Sequence, residues 1–190
     1  MSTTITDPEF LQWQKHAPIV TEDKTTFVYL NDEIESPGMY NELVHKLYTA
    51  TPDDTFVFVI NNGGGIVNSA VMIVDAMKRT AATVNCLISG FAASSATIIA
   101  LAADNLEIAE HSAFMVHNYS GGAYGKGHEL KAQQEFMDTS LNKAFSVYYK
   151  GFLTDKEMEK VIDGKDMWME PDEVRERWEN RKQLLEESNE

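Results

Sequence analysis

The sequence predicts a single layered α/β domain, and three observations support this fold class. From residue 26 onward, β-rich runs alternate with segments of helical period. The 190 residues are enough for one substantial core and too few for two ordinary domains. Apolar types make up 43% and charged types 24% of the chain, which is typical of a folded globular protein.

The expected strands are short runs rich in β-branched and aromatic residues. They cover residues 26–30, 56–61, 83–89, 105–109 and 113–117. Strands that alternate with helices along the chain are typical of parallel strands joined by right-handed crossovers.

Helices are expected where apolar residues repeat at a spacing of three or four. The first follows Ser36-Pro37, which supplies an N-cap and a residue suited to a first helical turn. The apolar stripes of the first two helices comprise Met39, Tyr40, Leu43, Val44 and Leu47, and then Val67, Ala70, Val71, Val74 and Met77. A long helical pattern ends near Tyr148, and Thr154 with Glu157 forms a capping box for a short helix.

The chain divides into three parts. Residues 1–25 show no clear period and form an N-terminal segment that can be mobile. Residues 26–173 form the main domain, and residues 174–190 form a charged tail, for which we expect a solvated helix with a frayed end.

The formal net charge is −14 and the pI is about 4.7. Such an acidic surface repels phosphate backbones and anionic lipids, which argues against nucleic-acid and membrane partners. The single cysteine, Cys86, lies in an apolar run and is expected to be a buried thiol in a reducing compartment. No secretory signal is recognisable, and no apolar run reaches the roughly 20 residues a bilayer requires. We therefore expect a soluble, cytoplasmic protein.

Asn61-Asn62-Gly63-Gly64-Gly65 follows an apolar strand and precedes a helix. A phosphate cradle, an oxyanion-binding turn and a plain structural turn are all compatible with these glycines. The established phosphate-binding patterns are absent, which favours the oxyanion turn over the cradle.

Residues 90–96 also follow a strand, and Ser94 lies where a helix of small residues would begin. An N-cap in tight packing is the ordinary interpretation of such a serine, and a nucleophile is the functional one. His117 ends an apolar strand and is either a structural residue or a general base. Three acids lie near the end of the short helix: Asp163, Asp166 and Glu170. Either they form a solvated cluster, or one of them orients a histidine. No histidine or cysteine spacing indicates a metal site, and no cofactor is expected.

Together these motifs resemble the ClpP family, the proteolytic subunits of Clp protease, over residues 26–173. Residues 61–65 are similar to the family's Asn-Ser-Pro-Gly-Gly turn, residues 90–96 to Gly-Gln-Ala-Ala-Ser-Met-Gly, and residues 115–119 to Met-Ile-His-Gln-Pro. The resemblance implies a ClpP/crotonase-like layered fold of repeated β-β-α-type units, with a protruding handle helix over about residues 118–150.

The resemblance also implies roles for individual residues. Ser94 becomes the nucleophile, His117 the base and Asp166, before Met167-Trp168-Met169, the orienting acid, with Asp163 as the alternative. Gly64 and Ser95 offer the oxyanion N–H pair. The glycine-rich segment is expected to bind an extended peptide; its members are Gly121, Gly122, Ala123, Tyr124 and Gly125. Self-association into stacked heptameric rings and an AAA+ unfoldase that feeds substrates are the implied partnerships.

Several departures from the family pattern keep other hypotheses open. Gly63 stands where the family has proline, Ser95-Ala96 where it has Met-Gly, and the family's closing motif is absent. These changes indicate a divergent member, such as those carried by phages. The alternatives are a ring subunit without catalysis, a crotonase-type acyl-coenzyme A enzyme, and a self-processing capsid-type protease.

Overall fold

One seven-stranded mixed sheet organises the computed structural model, which describes residues 18–122 and 124–187. Its strands are β1 (Ile19–Glu22), β2 (Thr25–Leu30), β3 (Thr55–Asn62), β4 (Thr83–Ala93), β5 (Asn105–Ile108), β6 (Ala113–Val116) and β7 (Met167–Met169). The spatial order is β1-β2-β3-β4-β6-β7, and β5 pairs with β4 beside this path. The predicted α/β class is confirmed.

The centre of the sheet is parallel, as the alternation of strands and helices predicts. β2 pairs with β3, and β3 with β4, all in parallel register. Alternate residues of β3 are fully buried, with Phe58 and Ile60 at 0% exposure. The register of β3 against β4 shifts between Ile60 and Asn62, just before the glycine turn. The shift bends the ends of these strands at the edge of the sheet where the polar motifs lie.

The helices are α1 (Asn41–Thr49), α2 (Val67–Arg79), α3 (Ser95–Ala100), α4 (Gly127–Tyr148), α5 (Asp155–Ile162) and α6 (Pro171–Glu187). Ser36-Pro37 opens a short 3-10 turn, Pro37–Tyr40, and not the α-helix itself. The predicted capping box before α5 is confirmed, because Thr154 and Glu157 satisfy each other's backbone N–H groups. Within the described ranges no helix has the length and apolarity to cross a bilayer.

Two antiparallel edge strands were not predicted. β1 pairs with β2, so residues 19–22 belong to the sheet although they fall in the expected N-terminal segment. Residues 1–17 of that segment lie outside the described part of the chain. β7 pairs with β6. β7 has only three residues, too few to show a two-residue period convincingly.

The expectation of a solvated C-terminal helix is wrong for one face of α6. Val174, Trp178 and Arg181 are buried, with 0%, 5% and 8% exposure. Their spacing of four and three residues places them on one side of the helix. The dense charge of residues 171–187 hid this narrow stripe in the sequence.

Three arginines of α6 bind backbone carbonyls of neighbouring segments. Arg175 donates to the Ile108 carbonyl at 2.8 Å, Arg177 to the Phe152 carbonyl at 3.0 Å, and Arg181 to the Lys150 carbonyl. Because carbonyls that end a strand or helix need donors, these arginines join the tail to the main domain.

Glu157 and Arg177 form a bidentate pair between α5 and α6. The two nitrogen-to-oxygen distances are 3.0 and 2.7 Å, and both side chains are about four-fifths buried. The Arg177 hydrogen bonds, helped by the Thr154 donors, lower the pKa of Glu157 to about 2. The ionised form of Glu157 is therefore stabilised by folding.

We expect Glu157→Gln to lower the free energy of unfolding by about 1–2 kcal/mol near neutral pH. The pKa of Glu157 is depressed from 4.5, so the stabilisation is fully present above pH 4.5 and is lost as pH falls towards 2. Urea unfolding of both proteins near pH 7 and near pH 3 measures this. A difference that stays constant between the two pH values would contradict the assignment.

Candidate active site

Ser94 occupies a sharp turn between β4 and α3. Its backbone angles are φ 54° and ψ −130°, a combination that non-glycine residues rarely adopt. The Ser94 N–H donates to the Met115 carbonyl at 2.9 Å, so the turn is tied to β6. A strained serine between a strand and a helix is the backbone arrangement called a nucleophile elbow, which exposes the hydroxyl.

The glycine turn after β3 packs directly against this serine. Gly64 has φ +101°, and a Cβ there would lie 2.6 Å from the Ser94 Cβ and 2.9 Å from the Ala93 carbonyl oxygen. Gly65 has φ +144°, and a Cβ there would lie 2.3 Å from the Ile34 carbonyl oxygen. Glycine is required at both positions by conformation and by space.

The two predicted oxyanion donors differ in availability. The Gly64 N–H already donates to the Asn62 side-chain oxygen at 2.7 Å. Ser95 is the first residue of α3, so its N–H has no carbonyl one turn earlier in that helix to bind. Only the Ser95 N–H is therefore open to an oxyanion without a rearrangement.

Asn62 is a residue that the sequence interpretation missed. Its side chain is 97% buried, and its amide nitrogen donates to the Asp32 carbonyl while its oxygen accepts from Gly64. A polar residue at the end of an apolar strand, directly before glycines, is the signal that could have identified it.

The Ser95 hydroxyl serves the structure of the turn. Ser95 is 4% exposed, and its Oγ donates to the Gly65 carbonyl at 3.2 Å. This bond fastens the glycine turn to α3. The Ser95 hydroxyl therefore does not compete with Ser94 for the histidine.

Strand pairing bears on the choice between the two candidate acids. In the antiparallel pair of β6 and β7, Val116 lies opposite Met167. Continuing this register by one residue places His117 opposite Asp166, and directly opposed residues have Cβ atoms about 5 Å apart. Asp163 instead follows the end of α5, away from this pairing. The geometry favours Asp166, although its side chain is exposed.

The three candidate triad side chains do not form hydrogen bonds with one another. Within residues 18–122 and 124–187, no hydrogen bond or ion pair connects Ser94, His117 and Asp166. Ser94 and His117 do line one open cleft of about 1320 Å³, together with Gly64, Gly121 and Gly122. Among the residues that line this cleft, neither Asp163 nor Asp166 is found.

The cleft continues along α4. This wall combines apolar and polar side chains, namely Leu130, Gln133, Gln134, Met137, Asp138 and Leu141. Two further contacts hold the loop after His117: the Tyr119 hydroxyl donates to Asp138, and the Asn118 amide donates to the Ile162 carbonyl at 2.9 Å. The sequence interpretation did not single out Asn118 and Tyr119 for this purpose.

The predicted peptide-binding segment is only partly represented in the cleft. Gly121 and Gly122 line it, whereas Tyr124 is fully exposed and Gly125 lies beside Glu129 at the start of α4. Ala123 lies outside the described residues. The described residues of this segment form no strand in the isolated chain.

Cys86 does not line the cleft. Cys86 is 3% exposed, as predicted, and burial raises the pKa of its thiol far above its usual value. Among the described residues, no three His, Cys, Asp or Glu side chains converge as metal ligands would.

A strained serine, a histidine and a glycine turn that share one cleft above an α/β sheet are typical of serine hydrolases. Comparison with known proteins narrows this class. The family model for Clp protease matches residues 16–177. The ATP-dependent Clp protease proteolytic subunit 1 of Protochlamydia amoebophila is 31% identical over 77% of this chain and 74% of its own length. The protein of the same name from Chlamydia caviae is 32% identical over 72% of this chain and 70% of its own length.

This chain therefore belongs to the Clp protease family. The family membership and the layered α/β class that the motifs predicted are both confirmed. The departures at Gly63 and Ser95 are variations within that family.

Proposed function

We propose that this chain is a serine endopeptidase that hydrolyses peptide bonds of unfolded polypeptides. The backbone of Ser94 carries the proposal, because a non-glycine residue is held at φ 54° beside an open cleft that also contains His117. Strain of this kind costs about 1–3 kcal/mol and tends to persist where function requires it. Family membership supports the same activity.

In the proposed mechanism, the Ser94 oxygen attacks the peptide carbonyl carbon while His117 accepts the hydroxyl proton. The carbonyl oxygen takes the negative charge of the tetrahedral intermediate. As the carbon–nitrogen bond breaks, His117 returns the proton to the leaving amine, and an ester to Ser94 remains. Water then hydrolyses this ester, with His117 again as base, and Asp166 orients the imidazole throughout.

The oxyanion is held by the Ser95 N–H and, after an exchange, by the Gly64 N–H. Gly64 must release the Asn62 oxygen to donate to the intermediate. The exchange is favourable when the competing acceptor carries a full charge, because charge-assisted hydrogen bonds are roughly twice as strong as neutral ones.

Substrates are bound mainly through their backbone. The segment of Gly121, Gly122, Ala123, Tyr124 and Gly125 would pair with an extended peptide as an added strand. Main-chain hydrogen bonds carry little side-chain information, so cleavage is expected to tolerate many sequences.

The proposed working state is a chamber of stacked heptameric rings in the cytoplasm, fed by an AAA+ unfoldase that supplies the ATP dependence. The exposed surface of α4 supports assembly through this helix. Of its 22 residues only Leu141 and Phe145 are buried, while Phe136 and Val147 are 69% and 56% exposed. A helix of this length with so little of its surface buried has room to pack against another subunit.

A second candidate is a ring subunit without catalysis. It is favoured by two observations: the triad side chains are not joined by hydrogen bonds, and the Gly64 N–H is occupied. Such a subunit would keep the fold and the handle and would leave chemistry to other subunits.

Reaction with a fluorophosphonate probe distinguishes these candidates. We expect the purified, assembled protein to be labelled on Ser94, as located by mass spectrometry, and labelling to disappear in Ser94→Ala. Ser95→Ala is the matched control and should leave the label on Ser94. An assembled protein that is never labelled would favour the non-catalytic subunit, and a label on Ser95 would refute the assignment of the nucleophile.

A further inference from the structure

A buried chain of hydroxyl groups connects the end of α4 to the carbonyl of Ser94. The Tyr149 hydroxyl lies 2.6 Å from Thr97 Oγ1, and Thr97 Oγ1 lies 2.5 Å from the Ser94 carbonyl oxygen. Thr97 is 0% and Tyr149 2% exposed. No family motif used in the sequence analysis includes Thr97 or Tyr149.

The direction of both hydrogen bonds follows from the available protons. A carbonyl oxygen only accepts, so the single hydroxyl proton of Thr97 is donated to Ser94. Thr97 Oγ1 must then accept from Tyr149, which donates its phenolic proton. Burial raises the pKa of Tyr149 well above its ordinary value, so the donor stays protonated across the working pH range.

These bonds complete the fixation of the Ser94 backbone. Its N–H is held by the Met115 carbonyl at 2.9 Å, and its carbonyl also accepts from the Thr97 N–H at 3.0 Å. The Thr97 hydroxyl supplies the remaining bond to that carbonyl. With both lone pairs of the carbonyl occupied, rotation of the peptide plane after Ser94 would break two hydrogen bonds, which opposes relief of the strained φ and ψ angles.

Tyr149 is itself firmly placed. It follows the last residue of α4, its carbonyl accepts from the Phe152 and Leu153 N–H groups at 3.0 Å, and its ring meets Phe145 edge-on at 6.0 Å. The phenol therefore enters the core from a rigid corner between α4 and α5.

We propose that Thr97 and Tyr149 are positioning residues that hold the Ser94 elbow in its reactive conformation. This inference rests on the proposed peptidase function of Ser94. Neither residue contacts the cleft, so both act through the backbone of the nucleophile. A misplacement of the reacting atom by about 1 Å can lower a rate about 10²-fold.

The test uses variants that remove one hydroxyl and keep the shape of the side chain. Tyr149→Phe is expected to lower kcat for a peptide ester by about 10-fold, and Thr97→Val by about 10–100-fold. KM should be nearly unchanged in both variants. The rate of fluorophosphonate labelling at Ser94 should fall in parallel. Thr97→Ser, which keeps the hydroxyl, should restore most of the rate.

Two controls separate positioning from simple destabilisation. Tyr148→Phe alters the preceding tyrosine, whose hydroxyl makes no hydrogen bond within the described residues, and should leave kcat unchanged. Rates are compared only among variants that show a melting transition and are measured well below each melting temperature. Because the two residues act in series, the double variant should be no slower than Thr97→Val alone.

The outcomes are distinct. Suppose that the wild type is active. If Tyr149→Phe and Thr97→Val then have an unchanged kcat, or if their losses multiply in the double variant, the positioning role is wrong and the proposed function still stands. A wild type that is neither labelled nor active overturns the proposed function and this inference with it. If Thr97→Val does not fold, Tyr149→Phe compared with Tyr148→Phe still decides the outcome.

Discussion

Replacing Asp166 with asparagine is expected to lower kcat/KM for a peptide substrate by about 10⁴-fold. The reason lies in the pairing of β6 with β7, because its register, extended one residue beyond the pair of Val116 and Met167, would set Asp166 opposite His117. An asparagine of the same shape cannot stabilise the protonated imidazole and can favour the wrong tautomer. Melting temperature should be nearly unchanged, since the Asp166 side chain is exposed.

Asp163→Asn is the matched control for this prediction. Asp163 is also exposed and lies only three positions earlier, but it is the C-cap of α5, whereas Asp166 directly precedes the paired strand β7. Its replacement should change kcat/KM by less than about threefold, the size of a surface charge effect. Full steady-state kinetics of both variants decide the assignment. A large loss in Asp163→Asn with none in Asp166→Asn would show that the acid has been chosen wrongly.

Gly64→Ala is expected to abolish measurable labelling of Ser94 and to lower the melting temperature by at least about 5 °C. The new Cβ would lie 2.6 Å from the Ser94 Cβ and 3.1 Å from its Oγ, and the residue would have to adopt φ +101°. Either the glycine turn or the serine must move, and both belong to the proposed site.

Gly63→Ala tests whether this effect is specific. A Cβ on Gly63 meets no atom within 4 Å, and the φ angle of Gly63 lies outside the left-handed region. This variant should keep the melting temperature of the wild type and remain labelled on Ser94. Calorimetry and mass spectrometry on the pair measure both effects. Equal losses in the two variants would mean that flexibility of the turn matters, and not the close approach of Gly64 to Ser94.

The sequence was sufficient to predict the strands at the centre of the sheet but not those at its edges. The parallel strands around Phe58 and Ile60 are long, apolar and separated by helices, so local pattern and tertiary structure agree. β7 is stabilised by pairing with β6, about 50 residues earlier in the chain, which local pattern does not encode. β1 pairs with the next strand, β2, and is only four residues long. The buried stripe of α6 is formed by Val174 and Trp178 among many charges, and its burial depends on what packs against it.

The candidate site shows the same division. Ser94 and His117 could be identified because each follows a strand in a recognisable motif, and the cleft contains both. Thr97 and Tyr149 could not be identified in this way. Their hydrogen bond joins residues 52 positions apart, which only the folded chain brings together. The family resemblance had already favoured Asp166 over Asp163, and the register of β7 is consistent with that choice.

The bond between Asn62 and Gly64 bears on selectivity between ground state and transition state. The carboxamide oxygen of Asn62 accepts the hydrogen bond of the Gly64 N–H, which a bound substrate carbonyl could otherwise accept. A substrate carbonyl is an equally neutral acceptor and gains almost nothing by displacing it, whereas an alkoxide gains the difference between a charged and a neutral hydrogen bond. In the proposed mechanism, only the tetrahedral intermediate would displace the Asn62 oxygen from the Gly64 N–H. In that mechanism, binding energy at Gly64 would thereby be withheld from bound reactants and products and used only during bond cleavage.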